Sequence, residues 1–454
     1  MAFDSLAREI DPALPEAGAA RVLALAGLHG SLADPLLDTM NFLNEVTVRY
    51  PDAVSFAPGR PYEGLFDPER ITDYLNAYTD HLRRSGLTED QVRAVLFQYG
   101  RTKGQIHGLI AEALANDEDI RVPPESIVVT VGAQEGMFLT LRALFADPSD
   151  ALLVSSPCYI GITGAARLLD IPVVPVPEGE AGPDPEAVRA IARRVKAEGR
   201  RPRMLYVVPD FANPSGASMP VAARRELLAV AASEDLLIME DNPYGFFTRE
   251  IEPRPTLKSL DRDGSVVYLG SFAKTCFPGA RLGYTIADQR VLGDGGRESL
   301  LADELAKIKS MITVNTPSLS QAVIGGMLLM SGCRLREMNA PAIGFYRDNL
   351  LTVLSELERH FPATRRADLG LGWNRPEGGF FTVLTVPFVA DETALERSAR
   401  EYGVLWTPMD AFFVGGGGRH QLRISSSYLA RARVEEGIER LAAFIDAESG
   451  RVHA

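Results

Sequence analysis

The chain has 454 residues, of which 46% are hydrophobic and 24% charged, and its formal net charge is −13. That length exceeds one small core and suits two domains. The acidic balance argues against nucleic acid as the main partner, because neutralising phosphates needs clustered Lys and Arg.

In chain order, residues 1–45 suggest one or two helices carrying an apolar stripe, and AVSFAPGRP (53–61) is a short extended piece. Helical stretches follow around 69–84 and 104–116. Apolar, strand-like runs then come at 126–132, 151–157, 172–177, 204–210, 236–241, 265–271 and 281–287. Between most of them lie amphipathic windows such as EGMFLTLRALFA and AARRELLAVAAS. Apolar runs bounded by turns and separated by helices predict an α/β fold with a mostly parallel seven-stranded sheet between helices. After residue 335 the alternation stops. A helical region at 334–360 leads to GGFFTVLTVP, a helix near 391–402, VLWTP, LRISSSYL and a closing helix over 431–447, a pattern that suggests a smaller α+β domain. The expected division is an N-terminal segment (1–75) packing with the small domain, a large domain (76–333) and the small domain (334–454). GGGG at 415–418 reads as a loop.

No apolar run approaches the roughly 20 residues a membrane span needs. The N-terminal MAFDSLAREIDPALPEAG lacks the charged-then-apolar form of a signal peptide. Cys158, Cys276 and Cys333 are widely spaced without a CxxC, so neither a disulfide framework nor a metal site is expected. A cytoplasmic location fits best.

Ligands of open parallel sheets gather beyond the carboxyl ends of the strands, and the polar residues there form a set. TVGAQEG puts Gly132, Ala133 and Gln134 between a strand and a helix start, where free N–H groups and the helix dipole attract an anion. PDFANPSG sets Asn213 in a turn, and MEDNPYG puts Asp241 at a strand end with Tyr244 three residues on. Taken singly, each reads as an ordinary turn or cap. Lys274 completes the set, with Ser271 before it and Arg281 after it. A lysine at a strand end can simply be solvated. Held near apolar groups and other cations, its pKa falls, which suits Schiff-base chemistry. An anion cradle, Asn, Asp-x-x-Tyr, Ser-x-x-Lys and Arg in this order fit a pyridine ring carrying an aldehyde, a phenolic oxygen and a phosphate. That ligand is pyridoxal 5′-phosphate (PLP).

With QYGRTKG (98–104), SSPCYIG (155–161), RPEGGFF (375–381) and LRISSSY (422–428) added, the chain resembles fold-type I PLP enzymes. More narrowly it is similar to class I/II aminotransferases of the aromatic and 2-aminoadipate type, from about Ser55 to near residue 445. The resemblance implies a transfer of an amino group between an α-amino acid and a 2-oxo acid. It implies Lys274 as the Schiff-base lysine, Asp241 on the ring nitrogen, Asn213 and Tyr244 on the phenolate oxygen, and Tyr159 stacked on the ring. It further implies Ala133, Gln134, Ser271 and Arg281 on the phosphate, and Arg423 with the Gly59 backbone on the substrate carboxylate. Tyr99 would serve the partner subunit's site in a homodimer.

Ala133 stands where the cradle usually has a serine, and Arg60, Arg101, Lys103 and His107 also depart from the family pattern. Arg60, Arg101 and Lys103 are expected to add positive charge at the pocket mouth and to favour an anionic substrate; the plain alternative is that they are solvated rim residues. The same scaffold supports elimination, substitution, carbon–carbon bond formation or oxidation, so those reactions stay open beside transamination. A transcription regulator with an aminotransferase-like domain would need a DNA-binding module ahead of it. The residues before Ser55 are not basic, so an enzyme is expected.

Overall fold

The computed structural model describes residues 23–37, 45, 46, 48–249 and 254–453, apart from the side chains of 452 and 453. The helices expected within residues 1–45 fall mostly outside the described residues; those that are described include two short 3-10 turns, Leu25–Gly27 and Gly30–Ala33, and a helical stretch at 35–37.

A short strand, β1 (Val54–Ser55), precedes the main sheet. The sheet is made of β2 (Ile127–Thr130), β3 (Asp150–Ser156), β4 (Val173–Gly179), β5 (Gly182–Pro183), β6 (Arg201–Val207), β7 (Leu237–Asp241), β8 (Val266–Ser271) and β9 (Gly283–Ile286). Their order is β2-β9-β8-β7-β6-β3-β4-β5. The neighbours from β4 to β8 run parallel, while β9 pairs antiparallel with both β8 and β2. All seven expected strands are present. The eighth, β5, is a two-residue antiparallel partner of β4, too short to leave a periodic signal. Residues of β2, β3 and β8 are almost wholly buried, as strands covered on both faces should be.

A hairpin of β10 (Arg290–Leu292) and β11 (Glu298–Leu300) follows the sheet. The C-terminal part carries β12 (Gly372–Trp373), β13 (Phe381–Thr385), β14 (Val404–Leu405), β15 (Thr407–Pro408) and β16 (Gln421–Ser425). Four of these form a sheet in the order β12-β13-β16-β15, and β14 pairs in parallel with β1. Val54 and Phe56 share a core with Leu384, Trp406 and Phe444. The helix Glu89–Phe97 was not foreseen, although Thr88 and Gln91 close a capping box at its start. Among the described residues no helix is long and apolar enough to cross a membrane.

The turn after β6 is held by Arg224, whose side chain is fully buried. Its guanidinium donates to Asp210 at 2.5 and 3.0 Å and to the carbonyls of Pro209, Met219 and Pro255. Phe211 follows with φ +53° and backs against Gly379, where a Cβ would lie 2.3 Å from the Phe211 Cβ. This turn presents Asn213. Removing one partner leaves the other charge buried and unpaired, so Asp210→Ala is expected to destabilise the chain by about 3–5 kcal/mol. A urea midpoint equal to that of the unaltered protein would refute this.

Candidate active site

The parallel strands end on one side of the sheet, and a cavity of about 530 Å³ opens there. Beyond β2, Gly132 at φ +74° turns the chain into the helix Gly132–Leu144; a Cβ there would lie 2.7 Å from an Arg281 guanidinium nitrogen. Ala133 and Gln134 begin that helix on the cavity wall. Tyr159 follows β3 and immediately precedes the helix Ile160–Leu168. Asp241 ends β7, Ser271 ends β8, and Lys274 lies in the single helical turn Phe272–Thr275. Arg281, in the left-handed region at φ +47°, precedes β9.

Asp241 is buried. One carboxylate oxygen accepts from the Tyr206 hydroxyl at 2.7 Å, and the other has no partner. Burial pushes its pKa up to about 6, against the pull of Tyr206 and Lys274. Lys274 donates to the Gly59 carbonyl at 2.7 Å. Burial, then Arg281 and Arg423, lower its pKa to about 8, with Asp241 opposing. Tyr244 is buried edge-on against Phe380 and Phe381, and burial raises its phenol pKa. Ser271 Oγ accepts from the Ala273 N–H at 3.2 Å, so it also caps the turn that carries Lys274.

The opposite wall comes from the smaller sheet. Arg423 on β16 donates to Asn213 Oδ1 at 2.5 Å, to the Ala57 carbonyl at 2.9 Å and to Thr407 Oγ1 at 3.1 Å. Its guanidinium carbon sits 4.5 Å from the Phe381 ring centre and 5.2 Å from that of Phe412. Desolvation lowers its pKa to about 10. Arg60 lines the cavity with its guanidinium 3.9 Å from the Tyr428 ring centre and 3.8 Å from Glu63.

Most of the residues singled out in the sequence line this one cavity: Gly59, Arg60, Gly132, Ala133, Gln134, Tyr159, Asn213, Asp241, Tyr244, Ser271, Lys274, Arg281 and Arg423. Tyr99 does not, and it is 84% exposed. The charge expected at the mouth from Arg101 and Lys103 is absent from this wall. Lys103 is buried between Asp303 at 2.6 Å and the Glu125 carbonyl at 2.7 Å, and Arg101 pairs with Glu125 at 3.0 Å. Glu125 and Asp303, acids from other parts of the chain, hold both. Sequence reasoning missed Tyr206, Thr407 and Phe412. A tyrosine inside an apolar strand needs a partner for its hydroxyl, and that was the available signal for Tyr206. Among the described residues no group of His, Cys, Asp or Glu could hold a metal ion.

Fold and cavity together are those of an α/β protein with its ligand site beyond the carboxyl ends of the parallel strands. The chain belongs to the aminotransferase class I and II family, whose family model matches residues 74–441. It is 52% identical to the (S)-3,5-dihydroxyphenylglycine transaminase of Amycolatopsis orientalis over 95% of this chain and 96% of that one. It is 32% identical to the 2-aminoadipate transaminase of Thermus thermophilus, covering 89% and 92%. Among solved structures, the α-aminoadipate aminotransferase of Thermus thermophilus complexed with N-(5′-phosphopyridoxyl)-L-leucine superposes with a TM-score of 0.77 at 28% identity, over 94% of this chain and all of that one. The multiple substrate aminotransferase of Thermococcus profundus gives 0.77 at 26% identity, over 99% and 100%. The chain is therefore an enzyme that moves an amino group between an amino acid and a 2-oxo acid.

Tyr206→Phe removes the hydrogen bond that favours ionised Asp241. Its pKa in the ligand-free protein should rise above about 6, so the Asp241 carboxyl band followed by infrared difference spectroscopy should titrate at higher pH. An unmoved titration would mean that Tyr206 does not tune Asp241.

Proposed function

We propose that the cavity binds PLP and that the enzyme transfers the amino group of an aryl-substituted glycine, or returns one to the matching 2-oxo acid. The observation that carries the cofactor reading is the buried Asp241 oxygen without a partner, on the same cavity wall as Lys274. An unpaired buried carboxylate oxygen is costly, and a protonated ring nitrogen is the donor that would satisfy it. The phosphate end fits as well. Amide N–H groups of Ala133 and Gln134 at a helix start, the Ser271 hydroxyl and the Arg281 guanidinium would hold it, with no hydroxyl available from Ala133. Tyr159 would cover the ring, and Asn213 with Tyr244 would bond its hydroxyl oxygen.

When bound, PLP supplies a carbonyl carbon for the amine and an electron sink for the bond broken at Cα. Lys274 would hold that carbonyl carbon through Nζ and then, freed by the incoming amine, move the proton at Cα. A pKa of about 8 leaves part of the amine unprotonated near neutrality. Arg423 would grip the α-carboxylate through its fork; its Nε has no partner, and the aromatic rings around it exclude water. Val48, Ile160 and Phe412 give the cavity an apolar flank suited to an aryl group, and the dihydroxyphenylglycine transaminase at 52% identity supports that choice. A homodimer, in which Tyr99 reaches the partner's phosphate site, is part of the proposal. Its support is the exposure of Tyr99 together with Phe97, Met311 and Leu319.

The test is to load the purified protein with PLP and add 3,5-dihydroxyphenylglycine, 2-aminoadipate or glutamate in turn. Dihydroxyphenylglycine should convert the cofactor to its amine form, and a 2-oxo acid should restore it. Turnover without the amine form would overturn transamination in favour of elimination or substitution. A response to the two dicarboxylic amino acids alone would instead support an anionic substrate read by Arg60. Lys274→Ala should lower turnover by at least about a thousandfold. Sedimentation as a monomer at working concentrations would overturn the dimer.

A further inference from the structure

Beneath the anion cradle lies a buried charge cluster that the reaction does not use. Glu135 is in the first turn of the helix Gly132–Leu144. One of its carboxylate oxygens accepts from the Val131 backbone N–H at 2.7 Å and from Lys309 Nζ at 2.8 Å. The other accepts from the Thr313 hydroxyl at 2.7 Å, which itself accepts from Lys309 Nζ at 2.8 Å. The Lys309 side chain is fully buried and that of Glu135 is 8% exposed. Lys309 lies in the last turn of the helix Leu301–Ile312, and Thr316 just beyond that helix donates to the Val129 carbonyl of β2 at 2.8 Å. The cluster therefore ties one helix to the strand end and turn from which the cradle is built.

A carboxylate in the first turn of a helix is ordinarily welcome, because it offsets the positive end of the dipole. Here the same helix start would also receive a phosphate dianion. A second buried anion behind it would repel that phosphate through a medium of low dielectric. Lys309 removes the conflict: the pair carries no net charge, while the carboxylate still fixes the Val131 N–H. The fixed Val131 precedes Gly132, whose left-handed backbone starts the helix beside Arg281. Glu135 thus supplies geometry, and Lys309 cancels the charge that the geometry brings with it.

We propose that Glu135 and Lys309 form a charge-compensated positioning pair that sets the cradle's affinity for the phosphate group of its ligand. This rests on the reading that the cavity holds PLP. The pair acts on the phosphate alone, so it should be invisible to pyridoxal, which lacks that group. Thr313 locks the pair in register and carries no charge of its own.

The experiment is a titration of full-length protein, freed of cofactor, with PLP and separately with pyridoxal, following the absorbance of the bound species. Lys309→Met should weaken PLP by about tenfold or more while changing pyridoxal by less than about twofold, because only the former meets the uncompensated carboxylate. The double variant Glu135→Gln with Lys309→Met restores neutrality and keeps an acceptor for Val131, so PLP affinity should return to within about threefold of the original. Should Lys309→Met not fold, Glu135→Gln alone decides: Lys309 is then unopposed, and the preference for PLP over pyridoxal should rise. Equal losses for both ligands, no rescue in the double variant, or an unchanged preference in Glu135→Gln would overturn the inference and leave the pair a structural tie. If the unaltered protein bound neither PLP nor pyridoxal, the cofactor reading itself would fail, a result distinct from these.

Discussion

Mutual repulsion among cations crowded around one cavity is the constraint on which the rest of this structure depends. Lys274, Arg281 and Arg423 face one cavity beside a single acidic group, Asp241. Desolvation and the two neighbouring arginines make the charged form of Lys274 less favourable, and desolvation does the same to Arg423. Such a concentration of like charge suits a cavity that receives anions. The surrounding scaffold holds the cations against that repulsion. Arg423 is gripped by the Ala57 carbonyl, Thr407 and Asn213, and Lys274 by the Gly59 carbonyl.

Rigid support lies one layer further out. Arg224 braces the turn that carries Asn213, Tyr206 holds one oxygen of Asp241, and the cluster of Glu135, Lys309 and Thr313 braces the turn after β2. Each is a buried polar group with a buried partner, the condition under which such groups are tolerated. They connect segments distant in sequence, so the site is set by the whole α/β architecture and not by its loops alone.

Much of this was legible in the sequence because apolar runs and turn residues report strands directly, and the strand ends then locate the cavity. All seven long strands were found that way. The helix Glu89–Phe97 escaped because its apolar stripe is weak, although Thr88 and Gln91 marked its start. Charge was the least legible property. A cationic letter does not say which way its side chain runs, and Lys103, expected at the pocket, turns instead to Asp303 and Glu125. Tyr206 was hidden for the opposite reason, since an aromatic residue in an apolar strand looks like core until its hydroxyl is found on Asp241.

The contact between Phe211 and Gly379 bears on how such a sequence can drift. The two residues lie on different parts of the chain, yet no side chain fits at position 379 while Phe211 keeps its left-handed backbone. A copying error at Gly379 would therefore be felt first at the turn that holds Asn213, far along the chain from the altered letter. The glycine pair in RPEGGFF is thus held in place by steric inheritance and not by chemistry.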